Sequence, residues 1–493
     1  MSATKSSPSK KQVRKATQGT KTKNQRVAQS RKPGQKGKQN PQPKKKPLLF
    51  WHWVMIWLGL TGVSIASATA GALLAVSLSS TPLRQTPIAP EELTVFSQDE
   101  AIASQSLRLP ELTRPVNILL LGTKVLTSDV EGENHPDLGY HALVNSFEGL
   151  SDTMLVLRFD PEAQRMTVLS IPRDTKVDID GYGTAKVNHA NAYGGAVLAA
   201  KTISNLLGGT ELDRYIRVNV QGIQKLIEAL GGVDLYVPKD MHYRDDSQHL
   251  YINLKKGEQH LNGDEAMQFL RFRYDSYGDI GRVQRQQILI RAILEQALTP
   301  NNLVKLPQIL SIVQSHIDTN LSVQELIALA GFASQVNRSD MQMVMLPGEF
   351  SGDGKTGNTS YWLPHRDQIK EVVAQHFNFG EIDAGLSEPS KVRVAIQDAT
   401  GDANAVRSLI AYLNDLGYQR ITVADDWSEP LQSTRIIAQG GDDLIANEMR
   451  ANLGFGEVRV ESTGVLSTDI TLQLGSDWKA MADSLKKPGQ SAL

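Results

Sequence analysis

Residues 152–174 read DTMLVLRFDPEAQRMTVLSIPRD. Two apolar runs of strand length flank the turn-like Pro161-Glu162-Ala163-Gln164, a pattern that predicts an antiparallel hairpin. With the turn centred between Glu162 and Ala163, Asp152 at the start of one strand falls beside Arg173 at the end of the other, within a residue or two of register. A carboxylate and a guanidinium then share one edge of a sheet, a pair worth little if it is merely exposed. Upstream, Val116 to Gly122 is an apolar run of buried-strand length. Downstream, Ala199, Thr202, Ile203 and Leu206 repeat at helical spacing before Gly208-Gly209, and Ile223, Leu226, Ile227 and Leu230 repeat before Gly231-Gly232, the expected helix stops. The fold class is therefore α/β (α+β), a mixed sheet flanked by helices, over residues 115–348.

A second charged stretch, RFRYDSYGDIGRVQRQQ at 271–287, holds four arginines and two aspartates. The spacing predicts a helix from Gly281 to Leu298. Gln284, Gln287, Arg291 and Glu295 share one side of it, and Leu289, Ile290, Ile293 and Ala297 the other. Arg282 and Gln286, one turn apart, lie in line with the apolar side. An arginine there needs an anionic partner or a wet cleft, because an unpaired buried guanidinium is costly. Arg271 and Arg273 read as extended alternation, pointing the same way. Converging arginines suit phosphate and pyrophosphate oxygens, and nearby aspartates can hold Mg²⁺ or take a proton from an attacking hydroxyl. The pattern reads as phosphoryl transfer.

The 493-residue chain carries a formal net charge of -1, but its charge is segregated. Residues 1–46 contain many Lys and Arg and no Asp or Glu, and read as a disordered basic arm. A nucleic-acid tail is the rival reading of such an arm. Residues 48–78 have no formally charged side chain and exceed the roughly 20 residues that span a bilayer. They are expected to form one transmembrane helix, with Lys44, Lys45 and Lys46 holding the N-terminus in the cytoplasm and the folded parts outside the cell membrane. A cleaved signal peptide is the alternative. Lipid headgroups then account for the arm better than nucleic acid does. The chain has no cysteine, so the external part must fold by core burial.

The remaining segments read as a linker over 79–114, a second linker over 349–390, a small two-layer α/β sandwich over 391–478 with the order β-α-β-β-α-β-β, and a tail over 479–493. No P-loop, GxSxG elbow or zinc-like histidine spacing is present. The stripes at 199–206 and 223–230 suit a hydrophobic core.

NILLLG, SDTMLVLRFDPEAQRMTVLSIPRDT, KVNHANAYGG, LGGVDLYVP, LNGDEAMQFLRFR and DIGRVQRQQ, in that order behind an apolar span, resemble the LytR-CpsA-Psr family, and residues 391–478 resemble its frequent C-terminal domain. The resemblance implies a membrane-anchored transferase that moves a glycan from a polyprenyl-pyrophosphate carrier to a hydroxyl of peptidoglycan through a phosphodiester, with Mg²⁺ assisting. It implies that Asp152 is a metal or general-base residue. Arg173, Arg271, Arg273, Arg282 and Gln286 would hold pyrophosphate, and Asp279 would be the acidic residue before Gly281-Arg282. Arg173 and Arg282 join Asp152 as expected catalytic groups. Where family members commonly carry an aspartate this chain has Lys124, so either Asp129 or Asp137 substitutes or Lys124 itself supplies charge to phosphate. A non-catalytic scaffold or sensor for pyrophosphate lipid or peptidoglycan is the alternative function. A DNA-binding regulator is disfavoured by the expected topology.

Overall fold

The computed structural model describes residues 83, 85–97, 101–104, 110–123, 147, 149–246, 250–272, 278–337, 340–351, 360–379, 388–441 and 443–479. The basic arm, the 48–78 run, Lys124, Asp129, Asp137 and Arg273 lie outside these residues. Among the described residues no helix is long and apolar enough to cross a membrane.

The hairpin forms as its sequence dictates. Strands β1 (Val116–Thr123), β2 (Ser151–Asp160) and β3 (Arg165–Ser170) run antiparallel in succession, with Asp160 opposite Arg165 and Leu155 opposite Ser170. Strands β4 (Arg214–Asn219), β5 (Ile317–Thr319) and β6 (Met341–Met345) complete a mixed six-stranded sheet in the order β5-β4-β1-β2-β3-β6. The β1–β4 and β3–β6 pairs are parallel.

The apolar runs are continuous because both faces of the sheet are covered. Leu119, Leu121, Val156 and Leu169 belong to one cluster, which α1 (His189–Leu206) reaches through Ala199, Ile203 and Leu206. Their alternates Ile118, Leu155, Leu157 and Val168 belong to another, which α5 (Val323–Ala333) reaches through Leu329 and Phe332. The stripe at 199–206 is thus core. Helix α2 (Val220–Leu230) ends at Gly231, whose φ of 86° is the left-handed geometry that glycine adopts without strain.

Helix α3 (Gly263–Arg271) corrects the reading of Arg271. Asn262 and Glu265 form a capping box that starts the helix, and Ala266, Met267 and Phe269 bury its inner face. The helical turn continues through Arg271, whose charge suits a helix C-terminus. Arg271 is therefore helical rather than extended. The next helix, α4 (Gly278–Ala297), covers the expected arginine helix.

Two segments expected to be linkers pack instead. Phe96 is buried against Tyr215, with ring centroids 5.3 Å apart, and Ile102 is also buried. Beyond β6, the short strands Gly348–Phe350 and Trp362–Pro364 pair, and α6 (Arg366–Phe377) buries Ile369, Val372, Val373 and Phe377. Their spacing is that of an amphipathic helix.

The C-terminal sandwich has the expected element order: β7 (Arg393–Asp398), α7 (Ala403–Asp415), β8 (Arg420–Val423), β9 (Arg435–Ala438), α8 (Asp443–Leu453), β10 (Glu457–Val460) and β11 (Ile470–Leu474). Its sheet order is β8-β7-β11-β9-β10. The edge strand β6 of the first sheet meets the chain just past edge strand β10 of the second through a parallel bridge between Met343 and Glu461. Two open edges thereby protect each other.

His376 seals the same interface. Its Nδ1 lies 2.8 Å from the Gln342 side-chain oxygen and its Nε2 2.9 Å from the Gly441 carbonyl. Burial pushes the imidazole down to about 4, against the pull of Asp443 and with the help of Arg165. The folded state therefore keeps it neutral while the unfolded chain binds a proton below about pH 6.5. Stability is full above that value and falls as the pH drops from about 6.5 toward about 4. A His376→Gln variant should flatten this part of the stability curve, read by urea unfolding at half-unit pH steps. An unchanged slope would contradict the assignment.

Candidate functional site

The hairpin delivers its two ends to one place. The Arg173 guanidinium donates to Asp152 Oδ1 at 3.0 Å and sits 3.7 Å from Asp174. Asp174 in turn holds the Lys186 ammonium at 3.0 Å. The side chains of Arg173 and Asp152 keep 23% and 32% of their exposure, so the pair is neither buried in the core nor fully solvated.

Helix α4 meets this edge with the row that the sequence singled out. The Gln286 amide donates to Thr153 Oγ1 at 3.1 Å and to the Asp152 carbonyl at 3.4 Å. One turn earlier, Arg282 is buried at 7% exposure and enters a recess with Arg173 and Asp174, floored by Met345, Phe350 and Trp362. Thr153 can come this close because Gly122 faces it across β1–β2. A Cβ on Gly122 would stand 3.0 Å from Thr153 Cβ, and the register shifts at Gly122/Thr123. Such an irregularity re-aims strand ends beside functional sites.

Asp152, Arg173, Arg282 and Gln286 are thus brought together. Arg271, at the last turn of α3, is not among the residues lining the recess. Asp279 lies in α4, but its side chain is outside the description, as are Lys124 and Arg273.

Lys186 escaped the sequence reading. Strands Lys176–Ile179 and Gly183–Lys186 pair with Lys176 opposite Lys186, and Val187 donates its amide to the Thr175 carbonyl. The Asp180-Gly181 turn between them was the signal that would have returned Lys186 to the Asp174 edge. Phe350 and Trp362 escaped too, because their segment looked like a linker.

The described residues do not by themselves make a Mg²⁺ site. Among them no three His, Cys, Asp or Glu side chains cluster as metal ligands, and Asp152 and Asp174 each hold a cationic side chain.

The sequence model of the LytR_cpsA_psr family matches residues 88–378, and that of the LytR cell envelope-related transcriptional attenuator domain matches residues 391–478. A polyisoprenyl-teichoic acid–peptidoglycan teichoic acid transferase, TagU of Bacillus anthracis, is 30% identical over 320 residues, which is 64% of this chain and 92% of that protein. TagV of Bacillus subtilis strain 168, another polyisoprenyl-teichoic acid–peptidoglycan teichoic acid transferase, is 31% identical over 242 residues, covering 47% of this chain and 61% of that protein. The crystal structure of B. subtilis TagV aligns at 28% identity with a TM-score of 0.45, over 54% of this chain and 99% of that one.

Proposed function

This chain belongs to the LytR-CpsA-Psr family, and from that premise we propose that it transfers a glycopolymer from a polyprenyl-pyrophosphate carrier to a hydroxyl of peptidoglycan or a related envelope glycan. The observation that carries the reading is the convergence on one recess of two guanidinium groups from separate elements, Arg173 from the hairpin end and Arg282 from α4, beside the Asp152 carboxylate.

In this reading the acceptor hydroxyl oxygen attacks the phosphorus attached to the glycan. The bond from that phosphorus to the bridging oxygen breaks, and polyprenyl phosphate leaves with the bonding electrons. Negative charge grows on the leaving phosphate and the non-bridging oxygens, where Arg173 and Arg282 stabilise it more than they stabilise the ground state. Asp152 takes the hydroxyl proton and, through Oδ1, fixes the Arg173 fork. Asp174, itself held by Lys186, sets a second carboxylate beside Arg173. Gln286 fixes the start of β2 against α4, so the two arginines share one frame.

The single membrane span over 48–78, the cytoplasmic N-terminus and the extracytoplasmic folded parts belong to the same proposal; a Mg²⁺, when bound, would be held by Asp152 and Asp279 and would supply charge to the phosphate oxygens. The full chain in detergent micelles should release polyprenyl phosphate from a polyprenyl-pyrophosphate disaccharide, and Asp152→Ala should abolish most of this release. Chelation should lower turnover at least tenfold, with recovery on added Mg²⁺. Turnover indifferent to chelator removes the metal from the reading, and a wild type that, with a glycan acceptor supplied, binds donor without releasing polyprenyl phosphate removes the enzyme.

A further inference from the structure

Met345, Phe350 and Trp362, the floor of the arginine recess, also line a cleft of about 620 Å³ between the family domain and the C-terminal sandwich. The recess and the cleft therefore lie on either side of the same three side chains. One wall comes from α6, where Gln368, Glu371 and Gln375 follow one another at i, i+3 and i+7. The opposite wall is the Leu466–Asp469 turn together with the start of β7.

We propose that this cleft is the acceptor subsite, and that the C-terminal sandwich serves to close it around an uncharged, hydroxyl- and amide-bearing saccharide chain. The proposal rests on the glycopolymer-transfer reading above and assigns its second substrate a place.

The chemistry of the walls selects this occupant. Arg393 is held by Asp469 through bonds of 3.2 and 2.6 Å, and Lys391 is held by Glu388 at 3.3 Å, so the cations at the cleft already have carboxylate partners. Glu349 and Glu371 add negative charge. Such walls repel a second polyanion and offer amide and carboxylate acceptors to sugar hydroxyls. Half-buried Phe350, braced edge to face at 5.0 Å and 78° by the buried Trp362, gives the cleft a small apolar face of the kind a sugar's C–H groups contact. The donor end, by contrast, is built from arginines. The recess thus presents guanidinium charge, while the cleft presents cations that already have carboxylate partners.

The far wall is fixed rather than loosely apposed. Arg291 of α4 pairs with the buried Glu461 at 2.5 Å, and Gln284 donates to the carbonyls of Ser462 and Gly464 at 3.2 and 3.0 Å. Gln287 joins Ser170 to the Ser462 amide, each at 3.3 Å. The helix that carries Arg282 therefore also carries the C-terminal wall, which sets recess and cleft in one register.

The test follows two reactions of the full chain in detergent micelles: release of polyprenyl phosphate when water is the only acceptor, and phosphodiester formation on chitotetraose. In the first, water replaces the hydroxyl and the same phosphorus–oxygen bond breaks. The variants are Gln368→Ala with Glu371→Ala, and Ser467→Trp, which fills the cleft from an exposed position on the C-terminal wall. Both should keep donor turnover to water within twofold of wild type while the KM for chitotetraose rises at least tenfold. Wild-type KM in both variants overturns the proposal and leaves the transferase reading standing. Where the wild type shows no donor turnover or does not use chitotetraose, calorimetric titration with chitotetraose decides. Binding that Ser467→Trp abolishes supports the cleft, and binding that is absent or survives Ser467→Trp overturns it.

Discussion

Arg282→Ala is expected to lower the rate of polyprenyl phosphate release by on the order of 10²- to 10³-fold, the usual loss when one preorganised charge donor is removed from a transition state. The expectation comes from where the side chain sits. Arg282 is 7% exposed and shares its recess with Arg173, so its charge acts across a medium that screens it far less than water. The loss should fall on kcat more than on KM, because charge builds on the leaving phosphate only as the bond breaks. Arg282→Lys should recover no more than about a tenth of the lost rate, since one ammonium cannot make the two parallel contacts of a guanidinium. Removing the side chain also leaves a void beside Met345 and Trp362, so unfolding is measured alongside the kinetics. A well-folded Arg282→Ala enzyme within threefold of wild type would contradict the assignment of this arginine to the leaving phosphate.

The hairpin made this site legible in the sequence. Strand period and turn position fix register, and register alone carried Asp152 to Arg173, where a 3.0 Å bond is found. The row of Arg282 and Gln286 was legible for the same kind of reason, as helical period puts residues four apart in one line. Arg271 was misread because Arg-Phe-Arg alternates like a strand, while the signal that decides its conformation, the Asn262–Glu265 box, lies nine and six residues upstream. The 349–390 segment was misread because its turn-rich beginning drew attention from the apolar spacing of Ile369, Val372, Val373 and Phe377. Least legible was the polar side of α4. Periodicity shows that Gln284, Gln287 and Arg291 share a side, but not that a second domain, contributed by residues more than 150 positions away, covers it.

That covered side carries the second large effect. Glu461→Gln should destabilise the protein by about 3 kcal/mol, because it removes one member of a buried ion pair and leaves the Arg291 guanidinium, 12% exposed, without its carboxylate. Burial alone would raise the Glu461 carboxyl, but Arg291 and Arg459 beside it more than offset this and hold it below the ordinary carboxylate range. Its contribution is therefore full above the unfolded carboxylate value of about 4.3 and is lost only as pH falls through the lower folded value. The loss linked to His376 begins higher, near pH 6.5, and is nearly complete at about 4. Two losses at one interface thus fall in separable windows, and urea unfolding followed from pH 7 to pH 3 resolves them. Glu461→Gln should lower the whole curve above pH 4 by a constant amount, whereas His376→Gln should change its slope between 6.5 and 4. Replacing both charges together, as Arg291→Met with Glu461→Leu, should restore most of the stability, since neither charge is then left buried alone. A Glu461→Gln cost below about 0.5 kcal/mol would mean that the pair behaves as a solvated surface contact. The C-terminal sandwich would then be held on the family domain by its other contacts, among them those of Gln284, Gln287 and His376.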